Sequence, residues 1–280
     1  MVNKQWATVN KQWWKKLFFS KLLWTIFFGL STILSFSATP VCIKTIQKQT
    51  AALYINTTDD VFLLYKGMIE RYNPDGSFFQ NYGSIYINEH TEIISVNGFK
   101  TILFSPDYGK IIQLDNRLRE LYIFDAYDLG NYIITCVGTS YDNNFLWIWD
   151  AASQRLIKID KDRNPVFVSN TLSLILGIKI NPRQIVESGV MLYVVDSKNG
   201  IFVFDNQGNY IKQMPIENVK NLKVIDNQLY YTKDNVIYRY DNLTFTETKY
   251  TQTPNLKDIQ IGKTIICGSN ADGWVEIWKF

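Results

Sequence analysis

The sequence predicts an all-β fold, a six-bladed β-propeller preceded by an amino-terminal signal or anchor helix. Three observations lead to this prediction. A motif of two apolar runs separated by a short polar turn returns six times after residue 50. The runs are rich in Ile, Val, Tyr, Phe and Trp, the residues that favour β-strands. The last copy of the motif stops at Phe280 after its third strand, and an unassigned strand precedes the first copy at 41–47.

The motif repeats with a period of about 41 residues. The residue that closes the second apolar run marks each copy, and it stands at Asn73, Asp115, Asp160, Asp205, Asp241 and, by alignment, Lys279. The intervals between these positions are 42, 45, 45, 36 and 38 residues. Weaker runs flank each pair, such as Leu222–Ile225 before one and Tyr210–Gln213 after another. Each period therefore holds four strands, which is typical of a propeller blade.

The two ends of the repeat region are expected to meet. If the segment 41–47 supplies the fourth strand of the sixth unit, it pairs the edge that would otherwise present free N–H and C=O groups to other chains. The sequence thus predicts two parts: residues 1–37 as a signal peptide or membrane anchor, and residues 41–280 as the propeller.

The amino terminus has the pattern of an export signal. An uncharged stretch from Leu22 to Ile43 follows the lysines at positions 4, 11, 15, 16 and 21. A positive segment followed by an apolar one is typical of a secretory signal. Ser35 and Ser37 provide small residues for cleavage before Ala38. Alternatively, residues 22–43 are long enough to remain as an uncleaved anchor in a bilayer of about 30 Å. Either interpretation predicts an exported protein of the periplasm or cell envelope, with membrane contact only through this segment.

Composition excludes several kinds of function. The chain of 280 residues has a net charge of +3, but residues 1–37 hold five lysines and no carboxylate, so the remainder sums to −2. A basic nucleic-acid groove is therefore not expected. The single histidine, His90, and the three cysteines exclude most histidine-based triads and zinc sites built from Cys/His clusters. No catalytic residue and no metal ligand is assigned, and a monomer is expected.

A set of aspartates is the candidate ligand or cation site. These residues fall in the turns between the second and third strands of five units, at Asp107, Asp150, Asp196, Asp234 and Asp272. In a propeller such turns share one face, where carboxylates could attract a cation such as calcium. The competing explanation is that Asp suits tight turns, because its side chain bonds the local backbone. No other cofactor is expected.

One unit resembles a known repeat. Residues 192–212 read LYVVDSKNGIFVFDNQGNYIK, and seven of them follow the pattern of an NHL repeat: Leu192, Val194, Asp196, Ile201, Phe204, Asp205 and Gly208. The chain is therefore similar to six-bladed propellers of the NHL or YncE-like kind. The resemblance implies a binding platform more often than an enzyme, because most such propellers bind partners.

These observations together predict a non-catalytic propeller that acts as a protein-interaction or ligand-binding platform in the cell envelope, with an envelope protein as partner. The alternative is a propeller hydrolase or lactonase with a metal at the mouth of the channel. A metal analysis would distinguish the two hypotheses, because only the hydrolase or lactonase requires a bound metal.

Overall fold

The computed structural model describes residues 40–94, 98–250 and 255–280. Within these ranges, twenty-four strands form six antiparallel four-stranded sheets. The six-bladed propeller predicted from the repeat period is confirmed. The predicted signal or anchor at 1–37 lies outside the described residues. Among the residues that are described, no helix is both long enough and apolar enough to span a bilayer.

The blades follow one another along the chain, each running from an inner to an outer strand. Blade 1 contains β2 (Ala52–Ile55), β3 (Val61–Tyr65), β4 (Met68–Tyr72) and β5 (Phe78–Gly83); blade 2 contains β6 (Glu92–Ile94), β7 (Lys100–Ser105), β8 (Lys110–Asp115) and β9 (Glu120–Asp125). Blade 3 contains β10 (Ile134–Thr139), β11 (Leu146–Asp150), β12 (Arg155–Ile159) and β13 (Pro165–Val168); blade 4 contains β14 (Gln184–Ser188), β15 (Met191–Asp196), β16 (Gly200–Asp205) and β17 (Tyr210–Met214).

The last two blades differ in how they end. Blade 5 contains β18 (Lys220–Ile225), β19 (Gln228–Lys233), β20 (Val236–Asp241) and β21 (Thr246–Lys249). Blade 6 contains β22 (Lys257–Ile261), β23 (Ile265–Ser269), β24 (Trp274–Lys279) and, as its outer strand, β1 (Val41–Gln49). A short helix, α1 (Leu172–Leu176), lies between blades 3 and 4, and two 3-10 turns cover Pro106–Tyr108 and Ala126–Leu129.

The residues that mark the repeat in the sequence occupy one structural position. Asp115, Asp205 and Asp241 end the third strand of their blades, and Asp160 directly follows one. In the turns after these strands, Oδ1 of Asp115, Asp160 and Asp205 accepts hydrogen bonds from the backbone N–H groups two and four residues later, at 2.8–2.9 Å. The carboxylate thereby satisfies two backbone N–H groups of a tight turn, in addition to the backbone hydrogen bonds of that turn, which explains why Asp recurs there.

The core lies between neighbouring blades. Trp147 and Trp149 of β11 are completely buried and belong to one cluster with Phe202 and Phe204 of β16. Each such aromatic side chain removes about 200 Å² from water, so packing between blades is the main stabilising contribution. The buried second strands explain why the first run of each repeat is apolar almost throughout.

Ring closure joins residues from the two ends of the described chain. β1 pairs antiparallel with β24, from Val41 opposite Lys279 to Gln49 opposite Trp274. A side-chain contact then ties this strand to the first blade: Lys48 Nζ lies 2.7 Å from both carboxylate oxygens of Glu70. Because Glu70 is buried, this ion pair stabilises one packing of blade 6 against blade 1.

A second contact closes the ring through Asp59, in the turn between β2 and β3. Its carboxylate accepts hydrogen bonds from the Lys263 and Thr264 N–H groups at 2.6 and 2.8 Å, and from the Thr264 hydroxyl at 2.7 Å. The approach is so close that a Cβ on Gly262 would lie 2.1 Å from Asp59 Oδ1. Asp59 is buried and takes the left-handed conformation, with φ of 64°.

We expect Asp59→Ala to lower the stability of the propeller by about 2–3 kcal/mol, because three donors to a charged acceptor lose their partner. For a domain of this size, that corresponds to a fall in Tm of about 5–10 °C. Asp59→Asn keeps one acceptor oxygen and tolerates positive φ, so it should lose less. Calorimetry of the three proteins tests the order. Equal stability of Asp59→Ala and the parent would contradict this role.

Candidate functional site

The six inner strands surround an axial cavity of about 620 Å³. Apolar residues make up much of its wall, including Ile55, Ile93, Val137, Ile185 and Leu222. A cavity of this volume is within the range of small-molecule sites. The inner strands are the weaker runs of the sequence repeat, and they carry several of the polar residues of the cavity, such as Glu92, Lys220 and Lys223.

Three charged residues share one end of the axial cavity. Glu92 and Lys220 are the first residues of the inner strands β6 and β18, and Arg183 directly precedes the inner strand β14. Because the inner strands of a propeller run in the same direction, their first residues meet at one end. We call this end the entry face; it also carries the loops that join the blades and the turns between second and third strands.

Glu92 is the acidic group of this end. Its carboxyl has a pKa raised to about 7, because burial disfavours the charged form more than the attraction of Arg183 favours it. The same two residues act on the buried thiol of Cys136 in β10: burial raises its pKa most, and Glu92 raises it further. The inner strand of blade 3 therefore lies between Glu92 of blade 2 and Arg183, which precedes blade 4.

Lys223 is the charged side chain in the middle of an inner strand, β18. Its ammonium donates a hydrogen bond to the Ile55 carbonyl and lies 4.8 Å from the centre of the Tyr54 ring, so it reaches from blade 5 to blade 1. Burial lowers the pKa of this lysine to about 7, against the smaller opposing effects of Cys267 and Asp59. A lysine held in this way loses its proton near neutrality.

The cavity has more basic than acidic groups. Arg183, Lys220, Lys223 and Lys263 line it, against Glu92 and Glu187. Glu187 is already engaged, because Lys158 Nζ lies 3.5 Å from it and the indole N–H of Trp147 donates to it at 2.5 Å. A further lining residue, Gln260, has a buried Oε1 that accepts no hydrogen bond. The cavity thus combines an apolar wall with basic groups and spare hydrogen-bonding capacity.

Of the five aspartates of the sequence prediction, Asp107, Asp234 and Asp272 lie in turns between second and third strands, whereas Asp150 and Asp196 are the last residues of the second strands β11 and β15. Two of them are buried: Asp150 and Asp196 are each 3% exposed. Among the described residues, no group of three or more His, Cys, Asp or Glu side chains is arranged to hold a metal ion. The five aspartates belong to five different blades, blades 2 to 6.

Three of these aspartates hold the loop that leads into their own blade. Asp150 accepts from Ile133 N–H at 2.9 Å, Asp196 from Asn181 N–H at 2.6 Å, and Asp107 from the Asn88 amide at 2.6 Å. Burial raises the pKa of Asp150 and Asp196, but hydrogen bonds from side chains and backbone N–H groups outweigh it and leave both pKa values lowered. Each of these carboxylates links the end of a second strand, or the turn that follows it, to the loop before the inner strand of the same blade. This is a structural role, of the kind expected for Asp side chains that bond nearby backbone groups.

His90 belongs to the same type of contact. Its Nδ1 lies 2.7 Å from Asp107 Oδ2 in an exposed loop, and this hydrogen bond raises the pKa of the histidine. Its acidic partner is therefore one of the five aspartates of the sequence prediction.

Sequence reasoning missed Glu92, Arg183 and Lys223 as one site. The three residues are separated along the chain by 91 and 40 positions and belong to blades 2, 4 and 5. The available signal was the position of charged residues at the start of the weak run in each repeat. Aligning the repeats on the inner strands, instead of on the conspicuous turns, would have placed Glu92 and Lys220 at one end of the axis.

Comparison with known proteins gives the fold alone. No family model matches the chain, and no curated protein matches its sequence. Solved structures similar to this propeller include a catalytically inactive virginiamycin B lyase from Staphylococcus aureus with quinupristin, at TM-score 0.57 and 11% identity over 86% of this chain and 98% of that one. A streptogramin B lyase gives 0.51 and 16% over 81% and 77%, and the Cps50 (Swd1) propeller domain of Myceliophteria thermophila gives 0.53 and 12% over 86% and 99%. These similarities place the chain among β-propellers.

We expect Glu92→Gln to stabilise the protein above pH 7. The pKa of about 7 lies above the ordinary value of 4.5, so the folded chain carries a costly buried carboxylate at high pH. The gain should be largest above pH 7 and shrink as the pH falls through the range between 7 and 4.5, because below 4.5 the carboxyl is protonated in both the folded and the unfolded chain. Thermal melting at about pH 8.5 and about pH 5 measures it, and exposed Glu89→Gln is the matched control. A lower Tm for Glu92→Gln at high pH would contradict the prediction.

Proposed function

We propose that this protein is a ligand-binding propeller whose axial cavity takes a small organic anion with an apolar body. The observation that carries the proposal is the composition of the cavity wall. Apolar side chains line it, and Arg183 and Lys220 stand at its entry end, where they can meet a carboxylate. Arginine binds carboxylates in a bidentate manner, which gives such a site both affinity and orientation.

The apolar part of the ligand would lie deeper, against Ile93, Val137 and Ile185 of three neighbouring inner strands. Preformed pockets of this kind, with few polar groups on an apolar wall, bind ligands by burying most of their surface. The rigid ring keeps the pocket open without a ligand, so little conformational entropy is lost on binding.

We further propose that the propeller works outside the cytosol, in the periplasm or cell envelope. The support is the sequence of residues 1–43, with its lysines and long uncharged stretch. The exposed loops of the blades would then be available to an envelope protein. The similarity of residues 192–212 to an NHL repeat agrees with a binding role. Similar propellers include lyases as well as the Cps50 domain, and the fold alone does not choose between activities.

We expect the protein to bind 4-methylbenzoate but not the uncharged 4-methylbenzamide. Arg183→Gln should weaken the carboxylate by about tenfold or more, since one charge-assisted pairing is worth about 1.5–3 kcal/mol. Isothermal titration calorimetry measures both ligands. The exposed Arg117→Gln, which lies outside the cavity, is the matched control and should bind as the parent does. Equal binding of the amide, or an unaffected Arg183→Gln, would contradict the proposal.

Acidification should strengthen this binding. Between about pH 8 and pH 6, Glu92 loses its charge and Lys223 gains one, because both have pKa values of about 7. Both changes make the cavity more positive while the carboxylate probe stays ionised. We therefore expect the Kd to fall across this range, and Glu92→Gln to remove part of the dependence. A Kd that is independent of pH would contradict this assignment.

A further inference from the structure

We propose that Lys223 is a nucleophilic amine that forms an imine with aldehyde or ketone ligands in the axial cavity. This inference rests on the proposed function, because it places the carbonyl ligand in the same cavity. Lys223 would carry out a covalent step, and the ligand would need a carbonyl group in addition to its carboxylate. The geometry around Lys223 carries it.

The side chain of Lys223 extends from blade 5 to blade 1. It lines the cavity wall and is half-buried, between the buried Leu222 and the half-buried Val224 of β18. The amine donates to the Ile55 carbonyl of blade 1, which fixes its position across the face of blade 6. A neutral amine that donates one hydrogen to a carbonyl still has its lone pair, and the lone pair is what attacks a carbonyl carbon.

The strand register brings the amine and an anion-binding residue onto adjacent blades. Gln184 of β14 holds Leu222 of β18 through two hydrogen bonds of 2.8 and 2.9 Å. Arg183 is the residue before Gln184, and Lys223 is the residue after Leu222. A ligand whose carboxylate meets Arg183 therefore has its other end directed along the axis toward Lys223.

Burial lowers the affinity of Lys223 for a proton, whereas Cys267 and Asp59 raise it by less. The titratable groups near it come from three elements: Tyr54 on β2, Asp59 in the following turn, and Cys267 on β23. Asp59 is committed to the Lys263 and Thr264 backbone and hydroxyl groups, so its charge is already satisfied. Cys267 is completely buried, and burial raises the pKa of its thiol, which keeps it neutral. Lys220 and Lys263 line the same cavity.

Burial therefore dominates, and the pKa of Lys223 falls to about 7. A lysine with this pKa is half neutral at physiological pH, whereas an ordinary lysine, with a pKa of about 10.4, is almost fully protonated. Desolvation of this kind is a known way to activate a lysine toward carbonyl compounds.

The step needs no other reactant. The lone pair of the amine forms a bond to the carbonyl carbon, and the carbonyl π electrons move to oxygen. The two hydrogens of the amine leave with that oxygen as water, and a C=N bond remains. No electron transfer is involved, and water reverses the step.

The test uses 4-formylbenzoate as the carbonyl probe with cyanoborohydride in the buffer, which reduces any imine to a stable amine. We expect one adduct per chain, with a mass increase equal to that of the probe less one oxygen atom, and peptide mapping should place it on Lys223. At saturating probe, the labelling rate should rise with pH and reach half its maximum near pH 7. Lys223→Arg and Lys223→Met should lose this adduct, whereas Lys198→Arg, at an exposed lysine outside the cavity, should keep it.

Binding of 4-methylbenzoate, which has no carbonyl outside its carboxylate, shows whether each variant is folded with an intact cavity. If 4-methylbenzoate binds but Lys223 is not labelled, the imine is wrong and the binding proposal stands. If Lys223 is labelled without binding of 4-methylbenzoate, the reactive lysine stands and the anion site is wrong. Labelling spread over exposed lysines, with a rate still rising near pH 10, would overturn the proposal for Lys223.

Discussion

The pairing of β1 with β24 is the constraint on which the rest of this structure depends. A propeller blade packs against two neighbours, and the ring has no stable edge until its last sheet is complete. Here the chain completes that sheet with residues that lie more than 220 positions from their partners. Lys48 and Asp59 add polar contacts from both sides of the junction, to Glu70 and to the turn at 263–264. Closure therefore fixes the radius of the ring as well as its edges.

A fixed radius leaves space along the axis. The second and third strands fill the volume between blades with large residues such as Trp149 and Phe204, whereas the inner strands converge without meeting. Long polar side chains cross part of this space: Lys223 reaches the backbone of blade 1, and Arg183 acts on Glu92 across the position of blade 3. The long charged side chains of the cavity thus follow from geometry, because a long side chain on an inner strand or directly before one can reach a neighbouring blade across this space.

The sequence predicted the six-bladed propeller but not the charged residues of the cavity, and the two results have related physical causes. Strands buried on both faces must be apolar, and turns that close a blade need residues such as Asp205, so both leave a repeated pattern. The inner strands are short or irregular; β6 has three residues, and the pairing of β18 shifts between Lys220 and Lys223. Irregular strands carry no clear alternation, so the sequence does not say which of their side chains point to the axis. Arg183 lies outside any strand, where a charged residue is usually solvated.

The aspartates of the turns leave a regular pattern in the sequence. Their regular spacing suggested a shared site, but regular spacing is also what a repeated structural requirement produces. Asp107, Asp150 and Asp196 each hold the loop that enters their own blade, so each acts within one repeat. A binding site on a ring axis instead needs residues that differ between repeats, because a ligand without sixfold symmetry presents different groups to different blades. The acid of blade 2 and the bases of blades 4 and 5 meet that requirement.

Burial shifts the pKa values of Glu92 and Lys223 in opposite directions, but in both cases it favours the neutral form. It raises the pKa of Glu92 and lowers that of Lys223, so both groups shift toward their neutral forms. An arginine side chain does not shift toward a neutral form in this way, because the guanidinium group stays charged in proteins. The permanent charge at the entry end of the axis is therefore positive, while the two titrating groups set how strongly that charge acts at a given pH. A cavity arranged in this way favours anions and keeps one amine available as a nucleophile.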